Sequence, residues 1–126
     1  MIQGIRHAGI MVSDVEAALD LYCDLFNLTE RPGVVENAIE GMKHAILKIG
    51  DQAFELIEPV DPEGALSRFL RERGEGLHHI SLGVVGMEAL TESLKAKGAT
   101  VIERGAKFAF IHPNSTRGVL IELAEE

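Results

Sequence analysis

"GLHHISLGV", Gly76 to Val84, sets two adjacent histidines into an apolar alternation that otherwise reads as a strand, and the pattern occurs once earlier as "GIRHAGIMV". With a shift of 72 residues His7 falls on His79, and Ile10, Val12, Glu16 and Ala17 fall on Leu82, Val84, Glu88 and Ala89. Later in each copy the shift is 67, which sets Glu55 of "FELIE" on Glu122 of "IELAE". The chain is therefore an internal repeat with an early histidine and a late glutamate in both copies.

Working outward, "IRHAGIMV" alternates as a strand and gives way to "SDVEAALDLYCDLF", where Val15, Ala18, Leu19, Tyr22, Leu25 and Phe26 recur at helical spacing. Ser13 with Glu16 three residues on forms a capping-box signature, and Asn27 is a stop. "TERPGVVENAIEG" holds a strand and a loop, and "MKHAILKIG" with "QAFELIEPV" forms a hairpin about Gly50 and Asp51. "DPEGALSRFLRERGEG", Asp61 to Gly76, reads as a short polar helix. The second round runs through the helix "MEALTESLKAKG" to a closing hairpin of "KFAFIHP" and "GVLIELAE". The expected fold is α+β, a single domain over 1–126. It is built of two βαβββ modules, about 4–60 and about 77–124, joined by the short helix and wrapping curved sheets into a cup.

Composition sets the outer limits. A length of 126 residues suits one core. No apolar run is long enough to cross a bilayer, and "MIQGIRHAGIMV" lacks the basic start and cleavage site of a signal peptide, so the expected location is cytoplasmic with no membrane partner. A formal net charge of −8 disfavours nucleic acid, whose phosphates must be neutralised by clustered cations. The single cysteine, Cys23, lies in the apolar pattern of the first helix and reads as core filling.

Strand alternation places the polar groups. Phe54 and Leu56 point one way and Ala53, Glu55 and Ile57 the other; Leu120, Glu122 and Ala124 share a side opposite Val119, Ile121 and Leu123. Each glutamate is thus mid-strand on a face otherwise small or apolar, where a carboxylate is costly unless compensated. His7 and His79 obey the same alternation. Two imidazoles and two carboxylates from matching strands form a ligand set for a divalent transition metal at His7, Glu55, His79 and Glu122, with further positions for water or substrate.

The stretches "RHAGIMVSDVEAALDLY", "KIGDQAFELIEP", "RFLRERGEGLHHISLGV" and "FIHPNSTRGVLIELAE" together resemble the vicinal oxygen chelate superfamily of glyoxalases, bleomycin resistance proteins and dioxygenases, most of all its methylmalonyl-CoA epimerases. The resemblance implies the same four ligands, taking His79 rather than His78, and a mixed nitrogen and oxygen set suits cobalt, nickel, zinc or manganese. It implies an isomerase acting on an acyl-CoA thioester, and a homodimer. It suggests Glu122 as an acid–base group, with His44, where some family members carry a glutamate, for the opposite face. His112 and Ser115 fall on substrate-contact positions; Lys43, Lys107 and Arg117 are candidates for CoA phosphates, Lys107 foremost. The chain departs from the family in lacking a glycine-rich insertion before "FAFIHP" and in carrying Asn114 where lysine is common. Glyoxalase I, which shares the ligand set, is the alternative enzyme, and a metal-free binding protein on the same fold is the alternative of another class.

Overall fold

The first helix begins one residue later than its capping box suggests. The computed structural model describes all residues 1–126. In it Asp14, extended at φ −146°, accepts a hydrogen bond from the Ala17 N–H at 3.1 Å and caps α1 (Val15–Phe26). Ser13 is engaged elsewhere, with its N–H and its hydroxyl both donating to Glu75 Oε2, so a partner 62 residues away displaces the local signature. Asn27 stops the helix in the left-handed region, as its sequence position predicts. Replacing Asp14 by alanine should lower stability by about 1 kcal/mol, read as a drop in denaturant midpoint at unchanged m.

The elements follow in the expected order: β1 (Ile2–Met11), α1, β2 (Val35–Asn37), β3 (Met42–Ile49), β4 (Gln52–Pro59), α2 (Ala65–Arg73), β5 (Gly76–Val84), α3 (Met87–Ala96), β6 (Val101–Arg104), β7 (Phe108–Ile111) and β8 (Ile121–Glu125), with a 3-10 turn at Pro113–Ser115. This is the α+β class with βαβββ run twice. The hairpin forms at Gly50, whose φ of 62° suits glycine, pairing Ile49 with Gln52. No helix is long and apolar enough to cross a membrane.

Contacts divide the chain into two compact units, residues 9–78 and residues 1–8 with 79–126, so that one boundary falls inside β1 and the other inside β5. In the 9–78 unit β2, β3 and β4 are antiparallel neighbours, and the end of β1 joins β4 through Val12 N–H to Ile57 O at 2.8 Å. Helix α1 packs on β3 and β4 over a core of Val12, Val15, Leu19, Ala45, Leu47 and Leu56. Cys23 packs against that core as expected. In the other unit β5 runs parallel to β8, which is antiparallel to β7, itself antiparallel to β6. Its core is Val84, Met87, Leu90, Ala109, Ile111 and Leu123. Val12 and Val15 match Val84 and Met87 at the repeat's early shift, and Leu56 matches Leu123 at its late one. Fully burying each such side chain contributes about 1.5–3 kcal/mol, which fixes strand alternation against a one-residue slip.

A second repeat feature appears only in three dimensions. Glu58 accepts from the Val15 N–H at 2.9 Å, and Glu125 accepts from Gly86 and Met87 N–H at 3.3 and 3.4 Å. Each last strand thus returns a carboxylate to the N-terminus of its own helix, where the helix dipole favours negative charge. For α3 this replaces a side-chain cap, since its N-cap is Gly86.

Candidate metal centre

Strand alternation settles where the polar groups point. Leu123 is fully buried against α3 and Ile121 packs beside it, so Glu122 between them faces the other side of the sheet. Glu122 is paired across β5 with Ser81, two residues beyond His79, and across β7 with Phe110. His79 is 5% exposed and presents its edge to Phe110 with ring centroids 6.3 Å apart. His7 comes from the first half of β1, within the same compact unit.

These three side chains converge. His7 Nε2 and His79 Nε2 are 3.1 Å apart, with the rings edge to face at 5.2 Å and 79°. Glu122 Oε1 is 3.4 Å from His7 Nε2 and 4.0 Å from His79 Nε2. Their ligand atoms all lie within 4.8 Å of one another. Donors bound to one transition-metal ion at about 2.1 Å lie about 3.0–3.4 Å from each other at octahedral or tetrahedral angles. Two of the three separations meet that range and the third needs a small side-chain adjustment. Two neutral imidazoles and a carboxylate are also the donor types a divalent cobalt, nickel, zinc or manganese ion takes. The residues present fit such a metal.

Each first strand of the repeat carries a glycine three residues before its histidine, Gly4 and Gly76, both at φ 147°. A side chain is strained there, so both positions require glycine. The sequence signal for this pair is the shared spacing of "GIRH" and "GLHH", which strand alternation alone does not bring out.

Glu55 and His44 belong to the 9–78 unit, where His44 Nδ1 lies 2.9 Å from Glu55 Oε2. Glu55 is 8% exposed in mid-strand, and His44 is half-buried one pleat along from Ile46, the residue paired with Glu55. His78 packs edge-on against Phe69 at 4.7 Å, on the opposite face from His79 by alternation. His112 and Ser115 both accept from backbone: His112 Nδ1 from the Asn114 N–H of its own turn at 3.0 Å, and Ser115 Oγ from the Thr100 N–H, just before β6, at 2.9 Å. Lys107 is exposed in the β6–β7 turn, its carbonyl accepting from Glu125 N–H at 2.8 Å. Lys43 lines a cleft of about 500 Å³ together with Asp14, Glu16, Glu36 and Glu58, an acidic surrounding that suits no phosphate.

The model of the Glyoxalase/Bleomycin resistance protein/Dioxygenase superfamily matches residues 6–114. The chain belongs to that superfamily. Among solved structures of this superfamily's fold, a hypothetical protein from Bacillus halodurans C-125 is 36% identical, with a TM-score of 0.88 over 97% of this chain and 93% of its own. A variant of methylmalonyl-CoA epimerase from Streptomyces coelicolor, in complex with 2-nitronate-propionyl-CoA, is 29% identical, with a TM-score of 0.88 over 100% of this chain and 99% of its own. An ethylmalonyl-CoA/methylmalonyl-CoA epimerase of Cereibacter sphaeroides is 27% identical over 99% of both chains. Within the superfamily the likeness is to epimerases, enzymes of the isomerase class, in agreement with the resemblance carried by "GEGLHHI" and "HPNSTRGVLIEL".

Proposed function

We propose that the chain is a metal-dependent epimerase of methylmalonyl-CoA or a similar 2-substituted acyl-CoA. The observation that carries this reading is the convergence of His7, His79 and Glu122, in a chain that has relatives named for that reaction. Glu55 is the fourth proposed ligand. Its Oε2 is engaged by His44, which would fix the orientation of the carboxylate in the way groups behind a metal ligand do. A divalent transition metal at this site supplies Lewis-acid stabilisation of negative charge developing on the substrate oxygens, worth several kcal/mol.

The protein's own groups move the proton. The hydrogen between the carboxylate and the thioester carbonyl leaves as a proton to a base on one face. The electron pair delocalises into the thioester as an enolate, and a proton returns to the same carbon from an acid on the other face, giving the epimer. Glu122 is assigned to one face and His44 to the other. With Nδ1 of His44 held by Glu55, Nε2 is the nitrogen that carries the transferred proton, and a histidine is suited to either direction near neutral pH. His112, with Nδ1 committed to its turn, offers Nε2 to the substrate, and Ser115 retains its hydroxyl proton to donate. Lys107, in the β6–β7 turn, is the proposed contact to the CoA moiety.

The assignment extends to a homodimer, which light scattering reads directly. The activity is tested by incubating metal-loaded protein with methylmalonyl-CoA in deuterated water. Deuterium should enter the α-position as the two epimers equilibrate. Failure to label methylmalonyl-CoA or ethylmalonyl-CoA, beside turnover of the glutathione hemithioacetal of methylglyoxal, would move the chain to the lyase branch of the superfamily.

A further inference from the structure

In a chain of net charge −8, helix α2 carries Arg68, Arg71 and Arg73, a quarter of the chain's twelve Lys and Arg residues within nine positions. All three are exposed. Elsewhere Arg6 pairs with Glu126, Arg31 with Asp20 and Glu16, and Lys95 with Glu103, whereas none of the three α2 arginines meets a carboxylate. Arg71 instead donates to the Pro62 carbonyl at 3.2 Å, and the Arg73 guanidinium sits over the Phe69 ring at 5.3 Å. Compensation of the helix dipole accounts for basic residues in the last turn, Arg71 and Arg73, but not for Arg68 in the middle. Arg68 and Arg71 are three residues apart and share a face of the helix, with Glu72, four residues from Arg68, as the one carboxylate in α2.

Unpaired positive charge kept together in an acidic protein calls for an anion from outside. We infer that the exposed arginine face of α2 docks the nucleotide phosphates of coenzyme A, with Arg68 and Arg71 as the phosphate contacts. Resting on the epimerase reading above, this assigns the far end of the substrate to a surface that the superfamily's metal ligands leave unaddressed. Complementarity of charge favours it, because the nucleotide end of coenzyme A carries all of that cofactor's phosphates. Position favours it too, since α2 packs on β4, the strand that carries Glu55. Lys43, by contrast, is ringed by carboxylates.

The test compares wild type with the double variant R68A/R71A and with K97A/R104A, which removes equal charge from exposed positions outside α2. Calorimetric titration with coenzyme A and with 3′-dephospho-coenzyme A reads the docking itself. R68A/R71A should weaken coenzyme A binding about tenfold, as expected for two exposed charge-assisted contacts, and lose most of the preference over the dephospho form. K97A/R104A should leave both unchanged. In parallel, α-deuterium exchange on methylmalonyl-CoA should show KM raised and kcat kept in R68A/R71A, while exchange on the methylmalonyl thioester of pantetheine should match wild type. Unchanged coenzyme A affinity in R68A/R71A, or an equal loss in K97A/R104A, would overturn the docking site. Absence of exchange by wild type on either thioester would overturn the epimerase reading instead, and the titrations would still decide the arginine face.

Discussion

Replacing His79 by alanine is expected to abolish stoichiometric metal binding and to lower α-proton exchange by about three orders of magnitude or more, the equivalent of several kcal/mol of lost Lewis-acid stabilisation. His79 is the most enclosed of the three converging donors, with its side chain 4% exposed against 14% for Glu122 and 19% for His7, so water has the least room to replace it. Metal content by elemental analysis and exchange by mass spectrometry are the paired readouts. A loss of activity with full metal occupancy would assign His79 a different task. Circular dichroism of the same variant separates site loss from unfolding, and a His79→Gln variant, closer in volume, provides the check if alanine leaves too large a void beside Phe110.

The next largest effect is expected from Glu122 and His44, taken as a pair. Glu122→Gln keeps the shape of the side chain but removes its charge and basicity, and should cost about 10²–10⁴ in rate from the proton-transfer role alone, with a further loss if metal is released. His44→Gln should cost a comparable factor in epimerisation while sparing metal occupancy. Its signature is stereochemical. With one face disabled, one of the two epimers should still exchange its α-hydrogen with solvent through Glu122 without inverting. Equal exchange of both epimers by His44→Gln would remove His44 from the mechanism and leave it as a group that orients Glu55.

Legibility of these features in the sequence followed the range of the interaction behind each. Alternation and the repeat are local or periodic signals, and they suffice to place His7, His79 and Glu122 on converging strands, to set Leu56 and Leu123 inward, and to mark the hairpin at Gly50. Where a distant group intervened, the local rule gave way. Ser13 had the better capping-box spacing, yet Glu75 took its hydrogen bonds and Asp14 became the cap. The carboxylates of Glu58 and Glu125 on the helix N-termini share the repeat's late shift, but nothing along the strand distinguishes them from solvent-facing charges. His112 and Ser115 were marked by family resemblance alone, and the backbone groups they accept from, Asn114 N–H and Thr100 N–H, carry no signal of their own in the sequence. The passage of β1 from one compact unit to the other is a property of tertiary contacts, and periodicity carries no trace of it.

That passage bears on how the chain reaches its native state. Residues 1–8 precede the 9–78 segment along the chain, yet they belong with residues 79–126. His7 must therefore wait for a partner 72 positions downstream, and for another, Glu122, 115 positions downstream. While the nascent chain emerges, the 9–78 segment has the whole of its own core and is free to condense early, whereas the other unit has to close a long loop before its strands reward the entropy lost. Contacts this far apart in sequence are expected to form late, because the long loop must close before they can stabilise anything.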